Sequence, residues 1–360
     1  MLAILAVLIV CVIILVGLIL AFSPGKPLPF LDENGRELAG SISEKIFVNI
    51  NGVQQGMIIK SKDTRNPVLL YVHGGMPDYF LTQKYPTYLE DYFTVVWWEQ
   101  RGSGLSFNPD VTQKAITLEQ LISDTLDVSN YLRNRFGKEK IYLMGHSGGT
   151  FIGIQAAARA PEMYHAYIGI AQMSDQFESE RLAYEYMLQK FKDNGTTKMV
   201  QKLEAAPVTI KDGIPNSYLV LRDGAMHSLG IGTTHDMKSV ISGVFLPSLT
   251  FREYTIMEKV NLWRGKSQSG VSHIWDEITA TNLIQKVPKL GIPTYFFSGI
   301  YDYTCSYKLA KDFFEKLQAP VKGFYTFKQS AHSPLFEEPN RFIEVMVKDV
   351  LNGDVNLADK

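Results

Sequence analysis

Short apolar runs recur along the chain at Pro67–Val72, Phe93–Trp98, Ile141–Met144, Ala166–Ala171, Pro293–Ser298 and Gly323–Phe327, most of them separated by longer stretches with helical spacing of apolar residues. Runs of this length without polar alternation are what a strand covered on both faces requires, so they predict a mostly parallel sheet with helices on both sides. Ahead of them, Ile46–Ile50 and Val53–Lys60 flank Asn51-Gly52. Both turn residues accept positive φ, which predicts an antiparallel hairpin at the entry to the sheet. The fold class is therefore α/β, and more than a hundred residues between Gln172 and Pro293 exceed any single crossover helix. That excess predicts a helical cap. Its first helix is expected over Ser174–Asn194, with Asp175 and Glu178 at its start and Gly195 just beyond its end.

Met1–Phe22 carries no charged side chain and is as long as the roughly 20 apolar residues that span a bilayer. It is read as a transmembrane anchor, which places the protein in a membrane by a single N-terminal pass. A signal peptide would have a basic start and a shorter apolar core. Lys26 and Arg36 follow the segment and no basic residue precedes it, which points weakly to a cytoplasmic domain and leaves the side open. The Pro- and Gly-rich stretch that follows reads as a tether. The expected division is anchor 1–22, linker 23–44, core 45–175, cap 176–285, second core segment 286–352 and tail 353–360.

Composition narrows the chemistry. A formal net charge of -1 gives no footprint for nucleic acid. Cys11 and Cys305 are the only cysteines and the seven histidines lack ligand spacing, so neither a cysteine zinc site nor any other metal or cofactor is expected.

Gly145-His146-Ser147-Gly148-Gly149 lies between the strand-like Lys140–Met144 and the helix-like Thr150–Ala160. A strand that turns this sharply into a helix strains its central residue and needs small residues two positions either side, so Ser147 is the candidate nucleophile. A serine hydroxyl needs an imidazole to take its proton and a carboxylate to orient that imidazole. Asp302, in the loop after Pro293–Gly299, is the candidate acid, and His332, in the loop after Gly323–Phe327, the candidate base. His73, His146, His165, His227, His235 and His273 lack that late position after a strand. The oxyanion hole is assigned to the backbone N–H of Gly148 and that of Gly75, with Met76 as the competitor, in the loop His73-Gly74-Gly75-Met76-Pro77.

On these residues, together with Trp98-Glu99-Gln100-Arg101-Gly102-Ser103-Gly104-Leu105-Ser106, the chain from about Glu44 to Leu351 resembles the α/β-hydrolase superfamily and its proline iminopeptidase-like branch. That resemblance implies a Ser-His-Asp serine hydrolase working through an acyl-enzyme, with cap acids that hold a substrate amine. Glu178, Glu180 and Glu185 are the nominal candidates for that role, with His73 as a further substrate-binding candidate, and a solvated helix face is the competing reading of the three glutamates. The branch usually has a longer His-Gly-Gly-Pro-Gly loop and a tryptophan after the nucleophile, where this chain has Met76-Pro77 and Gly148. These departures, with the large cap, direct the expectation toward a small-molecule carboxylic ester or lactone of bulky apolar character, with serine macrolide esterases as a similar design. A prolyl aminopeptidase is the alternative, and a non-catalytic membrane-tethered binding domain is the third.

Overall fold

The computed structural model describes residues 2–110, 116–266 and 270–360, and the side chains of Leu2, Ala3, Ala6, Leu8, Leu15 and Leu18 lie outside the described set. Eight strands form one sheet in the order β1-β2-β4-β3-β5-β6-β7-β8. They are β1 Ile42–Ile50, β2 Val53–Ser61, β3 Val68–Val72, β4 Thr94–Trp98, β5 Ile141–His146, β6 Tyr164–Ile170, β7 Thr294–Gly299 and β8 Lys322–Phe327. The β1–β2 and β2–β4 pairs are antiparallel and the rest are parallel. At the entry hairpin Ile50 faces Val53, and Asn51 (φ 49°) and Gly52 (φ 77°) both take the left-handed conformation the turn demands. β3, β4, β5 and β7 are buried at every position, which is why they read as unbroken apolar runs.

In chain order the longer helices of the first two-thirds of the chain are α1 Leu2–Ala21, α2 Leu118–Phe136, α3 Gly148–Arg159, α4 Gln176–Asp193, α5 Thr197–Glu204 and α6 Asn216–Leu229. Two apolar layers flank the sheet. One packs Leu121 and Leu132 of α2 and Phe151 and Ile152 of α3 against Leu70, Val96 and Leu143; the other packs Tyr71, Trp97, Met144, Tyr295 and Phe342 on the opposite face. α4 begins where its cap predicts: Asp175 accepts the Glu178 N–H, and Gly195 beyond its end has φ 67°. Its neighbours α5 and α6 enclose a separate cluster around Tyr184, Met187, Tyr218 and Met226.

The N-terminal expectation needs correction. A single crossing takes about 20 consecutive apolar residues, and among the described residues no helix is long and apolar enough to cross a membrane. The membrane anchor at 1–22, and the membrane location drawn from it, are therefore overturned; Met1 itself lies outside the described residues. The chain leaving α1 is docked on the folded domain. Lys259 Nζ donates to the Phe22 carbonyl at 2.6 Å and to Ser23 Oγ at 2.9 Å, and Gly25 N–H reaches the Arg252 carbonyl at 3.1 Å.

Candidate active site

Ser147 sits between β5 and α3 with φ 56° and ψ -126°, a conformation an L-residue holds only under constraint from its surroundings. The constraint is steric. A Cβ on Gly145 would fall 2.7 Å from the Gly149 carbonyl oxygen, and one on Gly149 would collide with the Val72 carbonyl of β3. The Ser147 N–H is taken by the Ile170 carbonyl at 3.0 Å, and its own carbonyl receives the Thr150 N–H at 2.8 Å.

The ends of β7 and β8 bring Asp302 and His332 together. His332 Nδ1–H donates to Asp302 Oδ2 at 3.0 Å, and Asp302 Oδ1 accepts the N–H groups of Thr304 and Cys305, both at 2.9 Å. The carboxylate side chain is fully buried, so those three donors replace its water and fix it where it orients the imidazole. The base loop is braced by Glu337, whose Oε1 accepts the Ala331 N–H at 2.9 Å and the Ser333 N–H at 3.2 Å. Burial pushes the Glu337 pKa up to about 7 despite those bonds.

Gly74, Gly75 and Met76 share one cavity of about 200 Å³ with Ser147 and His332. Gly74 packs against the nucleophile closely enough that a Cβ there would lie 2.7 Å from Ser147 Cβ. His73 is buried behind this loop and shapes it. Its Nδ1–H donates to the Gly74 carbonyl at 2.9 Å, its Nε2 accepts the Gln100 N–H at 3.1 Å, and its own carbonyl accepts Gln100 Nε2 at 2.6 Å. With both ring nitrogens assigned the imidazole is neutral, and burial holds its pKa down to about 4. His73 is thus absent from the cavity lining, and Gln100 is the partner that fixes its tautomer. At Gly148 a Cβ would strike Val271, so the space where the branch has a tryptophan is already filled.

The three glutamates expected to hold an amine point elsewhere. Glu178 and Glu185 both pair with Arg181 toward solvent. Glu180 is buried in the cluster of α4 and α6, where it accepts Arg222 Nε at 2.6 Å, the Tyr218 hydroxyl at 3.1 Å and Gln176 Nε2 at 3.0 Å. Of the acids that do line the cavity, Asp223 comes from this helical segment and pairs with Arg222 Nη1 at 3.0 Å. Burial raises the Asp223 pKa, and the Arg222 charge outweighs that and sets it below the ordinary value. Arg222 and Lys266 bring cations to the same cavity, and Phe80, Leu81, Met226, Val240 and Val244 give it an apolar wall. Asp223 carried no sequence signal beyond its place in the long insertion. Asp78, also on the cavity, follows the glycine loop by two residues past Met76, a position the sequence does offer. Among the described residues no group of three or more His, Cys, Asp or Glu side chains could hold a metal ion.

The sequence profile of the alpha/beta hydrolase fold matches residues 67–339. A probable aminopeptidase, YbaC of Bacillus subtilis (strain 168), is 31% identical over 303 residues, which cover 83% of this chain and 93% of that protein. Among solved structures, a proline iminopeptidase of Mycobacterium smegmatis is similar with a TM-score of 0.60 at 14% identity, covering 86% of this chain and 98% of that one. VinJ is similar with a TM-score of 0.59 at 20% identity over 86% and 99% of the two chains. A proline iminopeptidase-related protein of Thermus thermophilus follows with 0.58 at 19% identity over 87% and 99%. At such identities the solved structures speak to the fold alone.

Proposed function

The chain belongs to the α/β-hydrolase fold family, and we propose that it is a serine hydrolase of the aminopeptidase type, with Ser147 as nucleophile, His332 as base and Asp302 as the acid that orients it. The observation that carries this reading is the 3.0 Å contact between His332 Nδ1 and Asp302 Oδ2, on a cavity shared with Ser147 in its strained turn. The Asp302 bond leaves Nε2 of the neutral imidazole as the basic nitrogen. Nε2 takes the Ser147 proton as Oγ bonds to the acyl carbon, and the N–H groups of Gly148 and Gly75, or Met76 in place of Gly75, receive the oxyanion. The C–N bond then breaks and the imidazolium proton passes to the leaving amine. Water adds to the acyl-enzyme, giving a proton to His332 that returns to Ser147 Oγ as the ester bond breaks.

Size favours a small acyl group. A cavity of about 200 Å³ is below the roughly 300–1,000 Å³ of sites that enclose drug-sized molecules, so a macrolide ring would project out of it. Asp223 supplies a carboxylate for an α-amine. Filling of the tryptophan space by Val271 removes one motive for a bulkier acyl pocket. Ester or lactone hydrolysis of a small apolar acid is the second reading, supported by the wall of Phe80, Met226, Val240 and Val244. The test offers a prolyl amide, an alanyl amide, a simple acyl ester and a macrolide lactone to the wild type and to Asp223→Asn. Amide cleavage with a KM that rises in Asp223→Asn for amine-bearing substrates alone is the expected result. Ester cleavage without amide cleavage, unchanged by Asp223→Asn, would establish the second reading instead.

A further inference from the structure

One buried side chain joins the glycine loop, the nucleophile turn and the base loop, and the mechanism above leaves it unused. His146 Nδ1 lies 3.0 Å from Asp78 Oδ2 and 3.0 Å from the Tyr71 hydroxyl oxygen, and its Nε2 lies 2.9 Å from the main-chain carbonyl of His332. The single Tyr71 hydroxyl proton is committed to Asp78 Oδ2 at 2.6 Å, so the phenol oxygen faces Nδ1 as an acceptor. Every neighbour of both ring nitrogens is therefore an acceptor. A neutral imidazole, with one N–H, would leave one of these contacts as lone pair against lone pair.

We propose that His146 is a positioning residue for the base, an imidazolium clamped by Asp78 whose Nε2–H holds the His332 carbonyl and so fixes the base loop against the nucleophile. The proposal rests on the reading of Ser147, His332 and Asp302 given above. Asp78 is suited to the clamp and to little else: its Oδ1 is buried without a hydrogen-bond partner, and Oδ2 carries both donors. Burying a carboxylate oxygen bare is costly unless a close counter-charge offsets it, and His146 is the cation in contact.

The surroundings agree. Burial opposes a charge on His146, but the hydrogen bond and charge of Asp78, the His332 carbonyl and the Asp302 carboxylate outweigh it and set the pKa above its ordinary value. The groups facing His146 are Asp78 and Tyr71, His332 with its ring centroid 5.0 Å away, Asp302 through its field, and His73, which burial keeps neutral. Burial also keeps the Tyr71 hydroxyl protonated. The base loop is thereby held in place against the nucleophile.

The test is the rate at which a fluorophosphonate modifies Ser147, followed by intact mass against pH; fluoride leaves as the Oγ–P bond forms. Wild type labelled and Ser147→Ala unlabelled secures the underlying reading, and an unlabelled wild type defeats that reading rather than this one. His146→Leu should lower the maximal labelling rate on the order of 10²-fold, the cost of misplacing a reacting group by about 1 Å, with the half-saturating concentration little changed. His146→Gln, whose amide N–H takes the place of Nε2–H, should recover most of that rate. In the wild type at neutral pH the ring ¹⁵N shifts of His146 should show both nitrogens protonated. Equal rate losses in both variants, wild-type rates in both, or a neutral His146 ring would overturn the proposal. Should His146→Leu fail to fold, the ring ¹⁵N shifts of wild-type His146 and the rate of His146→Gln decide.

Discussion

Asp302 and Glu180 are both fully buried carboxylates, one at the C-terminal edge of the sheet and one in the helical segment between β6 and β7, and they are held by different means. Two main-chain N–H groups and one imidazole hold Asp302. Glu180 is held by side chains alone, from Arg222, Tyr218 and Gln176. The first arrangement follows from where a strand ends and how its loop turns. The second depends on side chains of α4 and α6 meeting across a cluster that the chain assembles separately from the sheet. Removing the charge should accordingly cost activity in one region and stability in the other.

Asp302→Asn should fold with near wild-type urea stability and lose about 10⁴ in turnover, because the amide favours the wrong tautomer of His332; a large loss of stability with turnover preserved would erase the contrast. Glu180→Gln should lower unfolding free energy by about 3–5 kcal/mol, since it strips the buried Arg222 of its main counter-charge. The double change Glu180→Leu with Arg222→Met should recover most of that, and a folded Glu180→Gln of wild-type stability would show that Asp223 suffices for Arg222.

His73 extends the contrast to pH. Its folded pKa of about 4 lies below the ordinary value of 6.5, so between the two the unfolded chain binds more protons. Its contribution is complete above pH 6.5 and is lost as pH falls toward 4, by about 3 kcal/mol in all. Replacement by Gln should flatten that part of the stability curve in urea titrations across the window, and an unchanged slope would mean that the burial of His73 does not set the titration there. Least affected is the solvated side of α4, where Glu185→Gln should change stability by less than about 1 kcal/mol, as for other exposed pairs with Arg.

What could be read from the sequence divides along the same line. Strand positions and the entry hairpin are legible because burial on both faces and the Asn51-Gly52 turn leave direct marks on residue type. Ser147 is legible because a sharp turn excludes side chains at Gly145 and Gly149, and the sequence can show that exclusion. Asp302 and His332 follow from strand ends and chain order. His73 is legible as part of the loop but not as its brace, since that role depends on Gln100 arriving from the end of β4. Glu178, Glu180 and Glu185 share one helix, yet which of them faces the cavity is decided by Arg181 and Arg222, and the answer is none. Asp223 and Val271 reach the site through packing of distant segments, for which spacing along the chain gives no sign, whereas Glu337 braces the base loop from the short helix that directly follows it.

Everything proposed for the site turns on Ser147 being the nucleophile of an acyl-transfer hydrolase, and turnover of prolyl and alanyl amides by the wild type and by Ser147→Ala decides it. Hydrolysis by the wild type and a loss on the order of 10⁶ in the variant are expected. Wild-type turnover by a folded Ser147→Ala would contradict the assignment.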